Sequence, residues 1–337
     1  MSAHPRILIA GCGAIGSVFG CLLRQAGHDV TLLGRPWHLS AIRSRGLRLD
    51  GIWGIHFAAG FDLATSPSEL TGPYDLVIVA VKAYDTAAMV QSVCRFAAPD
   101  SLALSLQNGL GNVESLAAIF GAERSLGANV LVGAKITEPG RVTITVQAAP
   151  IVIGPVEVSD CVLMEQIHFW ARTFEAASIP CAATARISSY LWAKVFYNAP
   201  LNPLGALLAV HYGVLGGEPE LKEIMNHVID EAFQVAAAKD VELLWRDANG
   251  YREFFYGHLL PSTYDHQSSM LQDLQRGRRT EIDALNGRIW RYGRELEIPT
   301  PFNETMTRLI RQREKFPQPS GSLEQRTDSN RATTHVR

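Results

Sequence analysis

The chain has 337 residues, of which 47% are hydrophobic and 19% are charged, and its formal net charge at pH 7 is −2. This length and apolar content are sufficient for a large core, and they favour two domains over one. A charge so close to zero provides no electrostatic basis for binding nucleic acid or a membrane surface.

The first motif lies at residues 6–16, where an apolar, β-rich stretch runs directly into Gly11-Cys-Gly13-Ala14-Ile15-Gly16. A helix-like segment begins at Ser17, and a second apolar strand is predicted at 28–33. Between a strand and a helix, the glycines allow a tight turn, close approach of a pyrophosphate and close helix–strand packing. The helix N-terminus can then receive the phosphates. Rather than a glycine-rich turn without a ligand, we predict a dinucleotide site formed by Gly11, Gly13, Ala14, Ile15 and Gly16.

The second predicted strand leads into Leu33-Gly34-Arg35, at the point where a site that prefers NAD carries Asp or Glu for the ribose hydroxyls. A guanidinium at this point would bind a 2′-phosphate through charge-assisted contacts, whereas a carboxylate would repel it. No acidic residue lies between Val30 and Leu49. The sequence therefore predicts NADP(H) as the cofactor, with Arg35 at the 2′-phosphate. The alternative is that Arg35 is a solvated loop residue.

Two further strands are predicted at 74–81 and 101–106, both continuous apolar runs of the kind that parallel sheets bury on both faces. Polar residues follow each run: Lys82 after the first, and Gln107-Asn108-Gly109 after the second. Ligands of doubly wound sheets bind at the carboxyl ends of strands, so Lys82 and Asn108 are candidate contacts for cofactor or substrate. Asn108 has the alternative of being a turn residue, which is the commoner role of Asn before Gly.

The remaining pattern divides the chain into three parts. Shorter strands and one helix are predicted to complete the far edge of the sheet, at 127–132, 141–146, 151–154, 161–176 (the helix) and 179–184. From about residue 187, apolar residues recur at helical spacing. We predict an α/β fold in which a Rossmann-type, doubly wound domain (1–185) precedes an all-helical domain (186–316). The polar tail at 317–337 is predicted to be disordered.

Lys194, Asn198 and Asn202 are spaced four residues apart in a predicted helix, so that an amine and two carboxamides share one face. Apolar neighbours such as Val195 and Phe196 indicate that this helix is buried and that its polar groups need partners. The row can bind a small polar ligand. It is equally consistent with a structural lysine paired with a carboxylate and two asparagines that cap neighbouring turns.

A second polar cluster spans residues 268–287. Gly277 is predicted to end one helix, and Thr280 with Asp283 is predicted to begin the next, which places Glu281 at a helix start. On spacing alone, the simpler interpretation is favoured, because serines often cap helices and acids stabilise first turns through the helix dipole.

Taken together, these motifs resemble those of the ketopantoate reductase (2-dehydropantoate 2-reductase) family. The matching segments are Gly-x-Gly-Ala-Ile-Gly from Gly11, Val81-Lys82-Ala83, Gln107-Asn108-Gly109, Trp192-x-Lys194-x-x-x-Asn198-x-x-x-Asn202-Pro203-Leu204, Ser268-Ser269-Met-Leu-Gln-Asp273 and Thr280-Glu281-Ile-Asp283. They cover about residues 6–315. The resemblance implies a Rossmann domain followed by a helical domain, with the active site in the cleft between them. It also implies reduction of ketopantoate to pantoate with NADPH, on the route to pantothenate.

The resemblance further implies that Lys194 is the general acid that protonates the ketone oxygen, and that Glu281 orients the charged lysine. An ammonium suits this role because hydride addition places negative charge on the carbonyl oxygen. The implied contacts to the substrate carboxylate and hydroxyl are Asn198, Asn202 and Ser269. The positions implied at the cofactor and the reacting centre are Asn108 and Lys82.

Two departures from the family pattern bear on the substrate. Pro200 lies between the two asparagines and removes one helix hydrogen bond, which predicts that a kink or tight turn displaces Asn202. Gly205 stands where the family commonly has Thr after Asn-Pro-Leu. Three functions remain open: ketopantoate reductase, an NADP-dependent reductase of another branched 2-oxo acid, and a catalytically silent NADP-binding regulator.

The cysteines and histidines bear on location and metal binding. The five cysteines lack CxxC spacing, which indicates reduced thiols in the cytoplasm, and no signal-peptide cleavage site follows the apolar start. The ten histidines show no metal-ligand spacing, so no metal site is predicted. The predicted partner is a small-molecule 2-oxo acid, with neither nucleic acid nor membrane, and a homodimer is left open.

Overall fold

The computed structural model of the chain describes residues 5–156 and 161–316. The predicted disordered tail at 317–337 lies outside the described residues. The described strands are β1 (Arg6–Ala10), β2 (Asp29–Leu33), β3 (Leu47–Gly51), β4 (His56–Ala58), β5 (Asp62–Ala64), β6 (Tyr74–Val79), β7 (Ala97–Ser105), β8 (Ser125–Asn129), β9 (Val132–Glu138), β10 (Arg141–Gln147), β11 (Ile151–Pro155) and β12 (Cys181–Ala183).

Helices follow half of these strands and then occupy the rest of the described chain. The described α-helices are α1 (Ala14–Gln25), α2 (Pro36–Arg45), α3 (Thr86–Val93), α4 (Asn112–Phe120), α5 (Cys161–Ala176), α6 (Ile187–Leu208), α7 (Tyr212–Gly217), α8 (Pro219–Ala238), α9 (Ala248–Phe254), α10 (Leu260–Ser262), α11 (Ser269–Gln275), α12 (Asn286–Glu295) and α13 (Pro301–Lys315). A π-helical stretch, Phe255–Leu259, joins α9 to α10.

The main sheet has eight strands in the order β12-β11-β8-β7-β6-β1-β2-β5. From β1 the chain moves to β2 and β5 on one side, and then returns to β6, β7 and β8 on the other. All pairings from β5 to β8 are parallel, and β11 runs antiparallel to β8. This is the doubly wound arrangement that the sequence predicts, and the predicted fold class is confirmed. Such sheets bind ligands outside the carboxyl ends of their central strands.

Burial on both faces explains the continuous apolar runs of the central strands. In β1, Ile7 and Ile9 belong to one core cluster, whereas Leu8 and Ala10 belong to another. All four are fully buried. Alternate side chains of a strand point to opposite faces, so β1 lies between two apolar layers and needs no polar residue on either side.

A second sheet, which the sequence analysis placed wrongly, has four strands in the order β4-β3-β10-β9. The strand predicted at 141–146 was expected at the far edge of the main sheet, but it pairs in parallel with β3, where Val142 faces Leu49. The segment predicted as one strand at 127–132 is divided between β8 in the main sheet and β9 in the second. The part of the chain in β8, together with β11 and β12, extends the main sheet as expected. Because β3 and β10 are far apart in sequence, a local apolar pattern could not reveal their pairing.

Contacts divide the chain into two compact units at three points, of which two fall inside helices and the third falls between α8 and α9. The first unit comprises 5–197 with Phe233–Arg246, and the second comprises Asn198–Ala232 with 247–316. Helices α6 and α8 therefore contribute residues to both units. The predicted boundary at 185 and 186, which was drawn from a change in fold type, remains a prediction.

Within residues 5–156 and 161–316, no helix combines the length that a bilayer span requires with a sufficiently apolar composition.

Candidate functional site

The glycine-rich turn after β1 is packed so tightly that side chains are excluded at two of its positions. Gly11 has a φ of +117°, and a Cβ added to it would lie 2.7 Å from backbone atoms of Ala80 and Val81. A Cβ on Gly16 would lie 2.1 Å from the carbonyl oxygen of Gly11. The turn therefore brings the start of α1 close to the end of β1, as predicted for a dinucleotide fold.

Gly13 occupies the N-cap of α1, and no side chain forms a capping hydrogen bond there. A Cβ on Gly13 would have only one described heavy atom within reach, the Ala80 carbonyl oxygen at 4.0 Å. The backbone at this helix start is thus open to a close-approaching group. Uncapped N–H groups and the helix dipole favour an anion at such a position, so the turn fits a pyrophosphate.

Arg35 lies directly beyond β2 and forms the N-cap of α2. Its side chain is exposed, and its guanidinium makes no hydrogen bond or ion pair with any residue in the described part of the chain. An unpaired guanidinium keeps all its donors for a ligand, so Arg35 is able to contact a phosphate.

His38 joins α2 to α1 and to the second sheet. Its Nδ1 accepts a hydrogen bond from the Gly140 N–H at 3.1 Å, so its Nε2 carries the proton and donates to Ser17 Oγ at 3.0 Å. The ring is only 1% exposed, and burial lowers the pKa of His38 below its usual 6.5. Neutral His38 thereby holds α2, which begins directly after Arg35, against α1. This contact could not be predicted from the sequence, because Ser17, His38 and Gly140 belong to no common motif.

The segments after β6 and β7 are braced against each other by a buried amide. Gln107 donates from Nε2 to the Val81 carbonyl at 2.9 Å and to Thr86 Oγ1 at 2.6 Å. Asn112 donates from Nδ2 to the Asn108 carbonyl at 2.9 Å. These bonds hold the backbone on which Lys82 and Asn108 lie, and both of those side chains are half-buried. The Gln107-Asn108-Gly109 motif identified the place, but the bracing role of Gln107 was not predicted.

Lys194 lies on α6, and its Nζ donates to the Val130 carbonyl oxygen at 2.6 Å. Val130 directly follows β8, so the amine is held at the carboxyl end of that strand. The flanking apolar residues fix the helix, since Val195 and Phe196 are buried and the Phe196 ring stacks on Phe233 at 4.1 Å. The amine is therefore half-buried and held in a defined place by this acceptor.

The two asparagines of the row also lie on α6, which continues unbroken through Pro200 and Pro203. Asn202 is 5% exposed, and its Oδ1 accepts a hydrogen bond from the Tyr212 hydroxyl at 2.5 Å. Asn198 is half-buried. The tight turn expected after Pro200 is not formed, since α6 includes Asn202 and extends to Leu208, whereas the expected kink stays a prediction.

Ser269 and Glu281 lie in the second unit. Ser268 rather than Ser269 caps α11, through a bond from the Leu271 N–H to its Oγ at 3.0 Å. Ser269 is exposed, so its hydroxyl faces outward from the start of α11. Glu281 is 9% exposed and precedes a short 3₁₀ turn, Ile282–Ala284. The sequence predicted an α-helix at this point, but α12 begins only at Asn286.

Four neighbouring strands of the main sheet each carry one predicted site position just beyond the carboxyl end: Asn108 at β7, Lys82 at β6, Gly11 at β1 and Arg35 at β2. The next strand, β8, carries Val130, whose carbonyl accepts the hydrogen bond of Lys194. Parallel strands direct their carboxyl ends to the same edge, so the first unit gathers these groups along one edge of the sheet. Asn198, Asn202, Ser269 and Glu281 belong to the second unit.

Comparisons with known proteins agree with this arrangement. The family model described as "Ketopantoate reductase PanE/ApbA" matches residues 7–157, and its "C terminal" counterpart matches residues 186–314. A 2-dehydropantoate 2-reductase of Aquifex aeolicus is 38% identical over 92% of this chain and 97% of its own length.

Solved structures show the same similarity. The crystal structure of a PanE/ApbA family ketopantoate reductase from Ralstonia eutropha JMP134 has a TM-score of 0.81 and 33% identity, covering 93% of this chain and all of that one. D-mandelate dehydrogenase, in a ternary structure with NADH and anilino(oxo)acetate, has a TM-score of 0.81 and 26% identity, covering 92% and 99%. The chain therefore belongs to the ketopantoate reductase family, a family of NAD(P)-dependent oxidoreductases.

Proposed function

We propose that the protein reduces the 2-oxo group of ketopantoate to give pantoate, with NADPH as the reductant, as a cytoplasmic step of pantothenate biosynthesis. The observation that carries this proposal is the row of site groups along one sheet edge, from the Lys194 anchor at β8 to Arg35 beyond β2. The name 2-dehydropantoate 2-reductase, which several relatives share, supports the choice of substrate.

The residues of the first unit fit a dinucleotide. The pyrophosphate would lie against the glycine turn, in the space that a Cβ on Gly11 or Gly16 would fill, and at the uncapped start of α1. Exposed Arg35 would hold the 2′-phosphate. When bound, the cofactor supplies the hydride. The D-mandelate dehydrogenase to which the chain is similar binds NADH, so Arg35 is the residue on which our choice of NADPH depends.

Lys194 supplies the proton in this proposal. As the carbonyl carbon of the substrate accepts the hydride, its π-electron pair moves to oxygen, and the Lys194 ammonium donates a proton to form the hydroxyl. The Val130 carbonyl, 2.6 Å from Nζ, fixes the starting position of that ammonium. From the family resemblance, we assign Glu281 to holding the charge of the lysine, and Asn198, Asn202, Ser269 and Asn108 to the substrate.

A second candidate is an NADP-dependent reductase of another 2-oxo acid. The similarity to D-mandelate dehydrogenase favours keeping it, and so does Gly205, where the family commonly has Thr. A Cβ on Gly205 would lie 3.3 Å from the Val210 carbonyl, so this chain has little room for the commoner residue.

The test is the initial rate of NADPH oxidation by the purified protein with ketopantoate, compared with pyruvate, 2-oxoisovalerate and 2-oxophenylacetate, each repeated with NADH. We expect a saturable rate with ketopantoate and NADPH that exceeds every other combination. A higher kcat/KM with another acid would transfer the proposal to that substrate. NADPH binding without turnover of any acid would favour the third function, a silent regulator.

A further inference from the structure

Asn129, the last residue of β8, has a buried carboxamide oxygen without a partner. The residue is 6% exposed, and its Oδ1 accepts no hydrogen bond from any described residue. Buried polar atoms are nearly always paired, because an unmade hydrogen bond inside a protein is unfavourable. The oxygen of Asn129 is therefore a buried acceptor that no described residue satisfies.

The direction of the Asn129 side chain follows from its strand. Side chains two residues apart on a strand share a face, so Asn129 lies on the face of Gly127. A Cβ on Gly127 would lie 3.1 Å from Val113 Cγ2 of α4, 3.2 Å from Leu191 Cδ1 and 3.3 Å from Ile187 Cγ1. This face of β8 therefore packs against both α4 and α6.

The candidate acid lies at the matching position along α6. Lys194 follows Leu191 by three residues, which is nearly one helical turn. Its Nζ bonds to the carbonyl of Val130, the residue directly after Asn129. Strand and helix thus advance in the same direction, which brings Asn129 and Lys194 to corresponding positions along β8 and α6.

We propose that Asn129 is a positioning residue for Lys194, and that its carboxamide oxygen accepts a hydrogen bond from the ammonium when the amine turns from the Val130 carbonyl towards its substrate. This inference rests on the proposed role of Lys194 as general acid. An ammonium has three N–H donors, so one can be directed at the substrate oxygen while another is held by the protein.

The chemical type of the acceptor matters for this role. A neutral amide orients the ammonium without an added negative charge, whereas a carboxylate at the same place would hold the proton more firmly on the lysine. An amide is therefore the better support for a group that must release its proton during the reaction.

The experiment measures kcat, both KM values and the pH profile of kcat with ketopantoate and NADPH for the wild type, N129L, N129D and K194A. N129L removes the acceptor at similar volume, and we expect kcat to fall by about 10- to 100-fold while the KM for NADPH is unchanged. N129D retains an acceptor but adds charge, and we expect the basic limb of the profile to move up by about one pH unit. The control Q91E adds the same charge on the exposed side of α3 and should change neither quantity.

Each outcome decides the proposal. If N129L keeps kcat within about twofold of the wild type and N129D leaves the basic limb in place, the inference is wrong. K194A separates this failure from a failure of the proposed function. A K194A enzyme with the kcat of the wild type would show that Lys194 is not the general acid, whereas an inactive K194A would leave only the role of Asn129 refuted. Thermal unfolding is measured for every variant. Where N129L or N129D does not fold, the same quantities are measured for N129S, which shortens the side chain without adding charge or bulk. We expect a lower kcat in N129S, and an unchanged kcat would contradict the proposal.

Discussion

The Nδ2 of Asn286 donates a hydrogen bond, 3.0 Å long, to the backbone carbonyl of Ala199. This is the carbonyl that would accept the N–H of residue 203 in an ordinary α-helix, and Pro203 has no N–H to offer. Asn286 is fully buried and bonds in turn to Asn303, whose backbone and side chain donate to Glu231. A chain of buried amides thus explains how α6 tolerates a proline between two turns.

Removing this amide should destabilise the protein. We expect Asn286→Ala to lower the free energy of unfolding by about 1–3 kcal/mol, because the Ala199 carbonyl would be left buried without a donor. The measurement is urea unfolding followed by circular dichroism. Pro203→Ala supplies the missing N–H, so the loss from Asn286→Ala should shrink in the Pro203→Ala background. Equal losses in both backgrounds would contradict the explanation.

His38 should make folding stability depend on pH. Its pKa in the folded protein is lowered by burial below the usual 6.5, so between these two values the unfolded chain binds a proton that the folded chain does not. Stability should therefore be fully present above pH 6.5 and decline as the pH falls, by up to about 1.4 kcal/mol per pH unit. Urea unfolding at pH 8, 7, 6 and 5 measures this slope.

Two variants assign the slope to His38. His38→Gln cannot take up the proton, so its slope below pH 6.5 should be smaller than that of the wild type. Part of the slope should remain in His38→Gln, because desolvation also lowers the pKa of His266. His56→Gln is the matched control in the same unit, and a slope reduced as much in His56→Gln as in His38→Gln would show that the dependence is not specific to His38. A wild-type slope in His38→Gln would show that this histidine does not control the dependence.

Arg35 should determine the choice of cofactor. We expect Arg35→Ala to reduce kcat/KM with NADPH by about 10- to 100-fold, because a charge-assisted contact to the 2′-phosphate is lost, and to leave the value with NADH unchanged. Arg43→Ala, which removes another exposed arginine from α2, is the control and should preserve the preference. An unaltered NADPH-to-NADH ratio in Arg35→Ala would show that the preference is set elsewhere.

Lys194 should be required for the chemical step but not for cofactor binding. We expect Lys194→Ala to lower kcat by about 100- to 10,000-fold, since the proton donor and the nearby positive charge are both lost. NADPH affinity, measured by fluorescence titration, should stay within about threefold of the wild type. Lys135→Ala removes an exposed lysine of β9 and should be as active as the wild type. A Lys194→Ala enzyme with full kcat would exclude this lysine as the acid.

The sequence predicted the parts of the fold that depend on neighbouring residues. The glycine turn, the buried strands around Ile7 and Tyr74, and the helix carrying Lys194 each leave a local pattern of spacing or composition. The parallel pairing of β3 with β10 leaves none, because neither strand contains information about its partner. The same reason applies to Asn286 and Asn129. Asn286 is important because the Ala199 carbonyl has no helical donor, and Asn129 because its own carboxamide oxygen has no partner among the described residues. Only three-dimensional contacts disclose either feature.

The pairing of β3 with β10 also has a consequence for the order in which the protein can form. Asp50 and Arg141, which share a hydrogen bond across this pair, are 91 residues apart in the sequence. During synthesis, the second sheet cannot close until the ribosome has released residues beyond 147, by which time β1, β2 and β6 have long emerged. Contacts of such separation are slow to form, since a long loop must be closed first. We therefore expect β3 to remain unpaired with β10 for several seconds after β3 is synthesised, at ordinary rates of translation.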